Sequence, residues 1–436
     1  MAAPASRLRQ VTAAVIGNAL EWYDFVVFGF LTSIISRLFF PADSEYASLL
    51  LTTATFGVGF FMRPLGAIVL GVYADKKGRK AAMQVIIALM TLAMAMIAFA
   101  PTYAAIGIAA PITILLARLL QGFATGGEFA SATAFLVETA PPDRRGLYGS
   151  LQMVGQSLAA LGGAVSGALL TRGLTPEQVD AWGWRLPFIF GLLIGPVGMW
   201  IRRHLSETDE FLQARKSHVK APSIPKSLAL HMRGVLVCFG LVVSGTITYY
   251  VVLVYMPTFA KTHLKMSLPD AFVAQVVGLL FLTAVIPITG WLSDLIGRKP
   301  IIVAALVSYL MLLYPLFSWV HANPTLTNLT IMQAVLCSLI GTLFGPISTA
   351  LAEQFPPGVR STGLALAYNF AVMLFGGFAL FIVTWLVHVT GSPTDPKFSL
   401  ESTPSLPQDE IMARVLFGSL FAKAAYMLTH WRTLFL

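Results

Sequence analysis

Glu21 and Asp24 stand three residues apart inside an apolar run that begins near Val11. Residues at that spacing lie near one face of a helix. An ionised carboxylate at membrane depth is expensive, so it faces a cavity, pairs with a cation or takes a proton. Proton coupling needs such a group, a carboxyl that desolvation keeps protonated until substrate or a partner cation changes it. A structural ion pair or an interior hydrogen bond is the plainer alternative. Arg118 reads as the one basic residue deep in the first half's apolar interior. Its planar fork of donors matches a carboxylate, as an anionic ligand requires; a fixed salt bridge to Asp24, Glu21 or Glu128 would be structural. Glu128 lies ten positions beyond Arg118, about 1000° around a helix, so the two point to different sides. Gly126 and Gly127 beside it permit close helix contact, and Glu128 reads equally as a proton site or an interhelix bond.

Neutral hydrogen-bonding groups recur in later apolar runs: Gln152 and Gln156, then Thr246, Thr248, Tyr249, Tyr250 and Tyr255, then Gln333, then Tyr368 and Asn369. They suit a hydroxyl or carboxylate ligand, although an aromatic in a membrane segment more often packs or anchors an interface. Arg63 and Arg185 stand near the ends of their runs. Arg63 reads as packing beside the adjacent loop and Arg185 as lining of an outer vestibule, with helix-end anchoring an equal account.

The elements that position these residues are membrane helices. Of 436 residues, 56% are hydrophobic and 11% charged, and the mean hydropathy is +0.76. Soluble domains carry roughly a quarter charged residues, so this chain cannot cover a water-facing surface. Runs of about 20 apolar residues recur, and within lipid they must be helical, because only a helix satisfies its own backbone. Helices are predicted near 11–36, 47–73, 81–100, 109–136, 147–170 and 185–203, then 234–259, 271–293, 300–320, 328–351 and 361–389. A twelfth near 411–429 is weak. The charged stretch 204–233 between the sets reads as a linker, giving units 1–203 and 234–436.

The net charge of +9 does not point to nucleic acid. One set of alternating connections holds Arg7, Arg9, Lys76, Lys77, Arg144, Arg145, Arg202, Arg203, Lys220, Arg298 and Lys299 among others. The other holds only Arg37, Arg172, Arg185, Lys261, Lys265 and Lys397. That bias places both termini in the cytoplasm. No cleavable leader is expected, since the first run is long and lacks a small-residue cleavage site. Cys238 and Cys337 fall in apolar runs and read as packing residues. No zinc-spaced cysteines, His-Glu-x-x-His or phosphate loop occur, so neither cofactor nor metal is expected, and a membrane-embedded enzyme or receptor would need a cluster or signalling domain that is not visible.

The chain repeats itself. Gly71, Asp75, Gly78, Arg79 and Lys80 recur as Gly290, Asp294, Gly297, Arg298 and Lys299 at an offset of 219. Glu138, Pro141, Pro142 and Arg145 recur as Glu353, Pro356, Pro357 and Arg360 at an offset of 215. At the latter offset Arg118 corresponds to Gln333. Duplicated six-helix units with a midplane site between them are a known transporter architecture.

The Gly-x-x-x-Asp-x-x-Gly-Arg-Lys loop in both halves and Arg118-Leu119-Leu120-Gln121-Gly122 resemble motifs of the major facilitator superfamily. Gly17-Asn18-Ala19-Leu20-Glu21-Trp22-Tyr23-Asp24-Phe25, Phe60-Phe61-Met62-Arg63-Pro64-Leu65-Gly66, Gly126-Gly127-Glu128 and Trp182-Gly183-Trp184-Arg185-Leu186-Pro187-Phe188 narrow the likeness to its metabolite:proton symporters, carriers of citrate, tricarballylate, 2-oxoglutarate, shikimate and proline/betaine. The resemblance spans about residues 10–392. It implies an all-α polytopic fold of two six-helix bundles in a bacterial inner membrane, with protons and a small metabolite as partners, and a monomer. It also implies that Asp75, Arg79, Glu138, Arg145, Asp294, Arg298, Glu353 and Arg360 form a gate closing the cytoplasmic ends. Asn18 joins Arg118, Gln152, Gln156, Tyr249, Tyr250, Gln333, Tyr368 and Asn369 as a candidate substrate ligand; Asp24, Glu21 and Glu128 are the proton candidates. Two departures stand out. The fifth helix carries Gly162-Gly163 but no Gly-Pro pair of the antiporter kind, favouring symport. After Pro393 the pattern fails: a polar run through Glu410 precedes a weak segment holding Arg414 and Lys423, as an altered reading frame would produce. Proton symport of a di- or tricarboxylate such as citrate is the expected function. A proline/betaine carrier is the alternative, although those tend to carry a C-terminal coiled coil and this tail shows no heptads.

Overall fold

The computed structural model describes residues 4–77, 79–126, 128–192, 195, 231–356 and 360–391. The tail from 392, with the weak twelfth segment, and all but the last three residues of the 204–233 linker lie outside them. Among the described residues the regular elements are all helices. The first half comprises α1 (Pro4–Phe30), α2 (Thr32–Phe39), α3 (Glu45–Lys77), α4 (Arg79–Ala98), α5 (Tyr103–Ile106), α6 (Ala109–Ala124), α7 (Glu128–Thr139), α8 (Arg145–Gly173) and α9 (Pro176–Ala181), with a further helical stretch at 186–192. The second half holds α10 (Met232–Thr248), which continues as a π-helical turn at Tyr249–Val254, then α11 (Met256–Thr262), α12 (Leu268–Ile296), α13 (Arg298–Ala322), α14 (Leu326–Ala352), α15 (Arg360–Ala371), a second π-helical turn at Val372–Gly376, and α16 (Ala379–Gly391).

Among the described residues seven helices are long and apolar enough to cross a membrane, eight with the pair α1–α2 taken as one span bent by 64°. Each of the eleven runs read from hydropathy overlaps a described helix. The long runs end where local chemistry can close them. Ser267 and Thr325 accept backbone N–H groups at the starts of α12 and α14, Thr175 and Gln178 form a capping box on α9, and Gly297 adopts φ 90° in the turn after α12, a conformation glycine reaches without a Cβ penalty.

The two halves meet mainly where α8 lies against α12, with α3 against α16 and α7 against α15 on other sides of the interface. The duplication is visible in the packing. A Cβ placed on Gly59 would stand 2.8 Å from the carbonyl oxygen of Arg118; the matching Cβ on Gly278 would stand 3.1 Å from that of Gln333. One on Gly126 would overlap the carbonyl of Arg63, and its counterpart on Gly341 would stand 3.1 Å from that of Leu282. Offsets of 219 and 215 relate these pairs, so the crossing of α3 with α6–α7 is rebuilt as the crossing of α12 with α14.

Candidate functional site

A small cavity lies between the halves, with Trp22 and Gln156 on one side and Tyr249, Tyr250 and Tyr368 on the other. Its volume is about 40 Å³, room for a few waters and too little for an organic acid. Tyr249 and Tyr250 stand in the first π-helical turn, a device frequent at functional sites, and Tyr368 lies in α15 one turn before the second. Buried polar atoms usually have partners, yet Gln156 Nε2, Tyr249 OH and Tyr250 OH have none.

Arg118 lies in the aromatic layer beside this cavity. It is fully buried, donates through Nη1 to Gln121 Oε1 at 2.6 Å, and leaves Nε and Nη2 without partners. Its Cζ lies 4.2 Å from the ring centre of Phe25, 4.8 Å from Phe28 and 4.7 Å from Phe56. These faces offer cation–π attraction, about 2 kcal/mol when desolvated, but no acceptor. No carboxylate pairs with Arg118 among the described residues, so the salt bridge to Asp24 or Glu21 does not form.

Arg63 corrects the sequence reading. α3 runs on to Lys77, so Arg63 sits about 20 Å from that end at 1.5 Å per residue, in the middle of the helix. It is 2% exposed, its Cζ stands over Trp22, Phe25 and Phe60 at 5.4, 4.8 and 4.5 Å, and its Nε has no partner. Tyr368, from the second half, lies near both Arg63 and Gln156. Arg118 is therefore not the one deep cation of the first half. The signal lay in the sequence, since an arginine preceded by eighteen mostly apolar residues of one helix is already at depth.

Asp24 is buried with Oδ1 unpartnered. It faces the interior of the first half, where a Cβ on Gly191 would stand 2.8 Å from that oxygen, and Tyr23 beside it bonds Ser166 Oγ and the Pro187 carbonyl. Glu21 is buried and has a partner. The side chains of Glu128, Asp75 and Arg79 lie outside the described residues.

Several candidates bond to the protein itself. Asn18 Nδ2 donates to the Gln152 carbonyl at 2.9 Å and Gln152 Nε2 to Asn18 Oδ1 at 3.1 Å, which ties α1 to α8. Gln333 donates to Gln275 Oε1 at 2.7 Å and the Val252 carbonyl at 3.2 Å. Asn369 donates to the Gly126 carbonyl across the halves at 2.5 Å.

The ends of the helices that carry the repeated loops are locked across the halves. Asp294 Oδ1 and Oδ2 accept the Gly146 and Leu147 N–H groups at 2.7 and 2.9 Å, so a carboxylate of one half caps the start of α8 in the other. Arg298 holds that carboxylate at 3.0 Å and reaches Glu353 at 3.2 Å. Arg360 pairs with Glu138 at 2.8 Å. Arg145 contributes its carbonyl, which accepts from Thr349 Oγ1 at 2.9 Å. At the opposite ends, Tyr46 stacks on His388 with ring centres 3.6 Å apart, and Arg172 lies 3.8 Å from Asp270. The site is enclosed from both sides.

The model of the Major Facilitator Superfamily matches residues 14–381. The chain belongs to the major facilitator superfamily. A citrate-proton symporter of Salmonella typhi is 39% identical to it over 87% of each chain. A glycine betaine/proline/ectoine/pipecolic acid transporter of Dickeya dadantii is 34% identical over 90% of this chain and 80% of its own. The crystal structure of a D-xylose-proton symporter superposes with a TM-score of 0.73 at 17% identity, covering 95% and 97% of the two chains, a likeness of fold. As a superfamily protein this chain carries the repeated loops in both halves, and in its described lock Asp294 of one half, held by Arg298 beside it, caps α8 of the other.

Proposed function

We propose that this protein is a proton-coupled symporter that takes up a small di- or tricarboxylate, with citrate as the type, by alternating access between its halves. The observation that carries the reading is a set of buried, unpartnered atoms: Gln156 Nε2 and the Tyr249 and Tyr250 hydroxyls on the cavity wall, and Arg63 Nε and Arg118 Nε and Nη2 in the aromatic layer behind it. Every one can donate, and buried donors without acceptors carry a full desolvation penalty, so the arrangement suits a ligand rich in acceptors and in negative charge.

The betaine reading has support from the Dickeya relative. A quaternary ammonium prefers an aromatic cage, and here the cages of Phe25, Phe28, Phe56, Phe60 and Trp22 already hold guanidinium groups. That favours an anion over a zwitterion.

In this reading Asp24 carries the proton. The reading is supported by its burial within the first half and by Oδ1, which has no hydrogen-bond partner, since a carboxyl at membrane depth must pair, face a cavity or take a proton. Residues 1–203 and 234–436 rock about the site, joined by 204–233. The uneven distribution of basic residues supports cytoplasmic termini and a cytoplasmic position for the loop lock. One chain supplies both halves, which supports a monomer as the working unit. The test is uptake of labelled citrate into vesicles containing the protein, with and without an imposed inward proton gradient. Accumulation that collapses with the gradient is expected; gradient-independent flux would refute symport, and no citrate uptake would refute the substrate class.

A further inference from the structure

We propose that Arg63 is a second carboxylate anchor, so that the central site selects ligands bearing two or more carboxylates on a short chain over monocarboxylates and zwitterions. The proposal rests on the carboxylate reading above and adds to it the number of charges the ligand must bring.

Arg63 and Arg118 share one ring. Their Cζ atoms lie 4.8 and 4.2 Å from the centre of Phe25, so they are at most 9.0 Å apart (4.8 Å plus 4.2 Å). Two carboxylates on one short carbon chain can bridge such a span. At that separation in a low-dielectric interior the two like charges repel, and no described carboxylate pairs with either. A monoanion compensates one guanidinium and leaves the other buried beside it. A zwitterion brings a third cation into the same low-dielectric space, where like charges interact strongly. A ligand with two carboxylates compensates both.

The fold itself does not need a cation at this place. Leu282 occupies the corresponding position of the second half and is fully buried in the core, and its carbonyl meets Gly341 as the Arg63 carbonyl meets Gly126. A leucine therefore satisfies the same helix crossing. What Arg63 adds is a guanidinium with a free donor, next to Tyr368 of the other half.

The experiment is calorimetric titration of the purified full-length protein with citrate, succinate and acetate, for the wild type, Arg63→Leu and Arg63→Lys. Loss of one charge-assisted carboxylate contact is worth about 10- to 100-fold in affinity. Arg63→Leu is expected to weaken citrate and succinate by that factor while acetate changes less than threefold. Arg63→Lys, which keeps the charge and loses the fork, is expected to fall between, and it answers the question if the leucine variant does not fold. Citrate affinity within threefold of wild type in either variant overturns the anchor role, as does an equal loss for all three ligands, which would mark a structural effect. Wild type that binds citrate while the variants lose nothing removes only the anchor. Wild type that binds none of the three removes the carboxylate reading and the anchor with it.

Discussion

The two halves of the chain share their helix crossings and differ in what they bury at them. In the first half the carbonyls packed on Gly59 and Gly126 belong to Arg118 and Arg63; in the second, those packed on Gly278 and Gly341 belong to Gln333 and Leu282. Gln333 is satisfied by Gln275 and Val252 and Leu282 lies in the core, whereas both arginines keep unpaired donors. A satisfied amide and a leucine are what a fold requires of these places. Unpaired guanidinium groups weaken a fold, and their presence on only one of two equivalent frames separates function from architecture. The loop lock shows the reverse, since Asp294, steadied by Arg298 of its own half, and Arg360 act across the interface and hold the halves together.

The comparison can be broken in stages. The crossings themselves should carry the largest stability effects, and unequally. Gly126→Ala forces a Cβ onto backbone atoms of Arg63 and Ala67, while Gly341→Ala meets its nearest atoms at 3.1 Å. Overpacking costs about 1–3 kcal/mol, so Gly126→Ala should lower the unfolding temperature in detergent well below that of Gly341→Ala; equal shifts would mean that the halves are not packed as described. Gln333→Ala removes the two hydrogen bonds that a buried amide donates, with the one it accepts from Cys337 Sγ, and should cost about 1–3 kcal/mol while leaving citrate affinity within about threefold. A large loss of affinity there would place the second half in the ligand shell. Asp294→Asn weakens a charged helix cap worth about 1 kcal/mol and should shift spin-label distances between the loop ends of α8 and α12 toward the open state. Glu138→Gln breaks a half-exposed ion pair and should change stability by about 0–1 kcal/mol, the smallest effect of the series.

Much of this was legible in the sequence. Apolar length located the described helices, because in lipid the backbone has no alternative, although α1 begins at Pro4 and most of the run 185–203 beyond residue 192 lies outside the described residues; the two offsets gave the duplication that the glycine contacts now display in three dimensions. Arg118 was legible as a cation with no reason to be at depth. Arg63 was not recognised as deep because it was assigned to packing beside the basic loop at Lys76–Lys80, although the predicted helix 47–73 already ran past it; Pro64 lies inside α3. Asn18 and Gln152 were read as ligands since each is polar within an apolar run. Their mutual bonding spans 134 residues, a separation at which periodicity carries no information. Asn369 is similar, with an acceptor 243 residues away in the other half. Which polar groups meet each other, and which remain for a ligand, is decided by packing between helices.

The most direct test of unpaired charge as the ligand site is to give the first half the residue of the second. Citrate should be titrated onto purified wild type and Arg118→Gln, with unfolding followed in parallel. Loss of a buried charge-assisted pair predicts citrate affinity lower by about 100-fold with an unfolding temperature equal to or above that of wild type. Citrate affinity within threefold of wild type in a folded Arg118→Gln protein would contradict it.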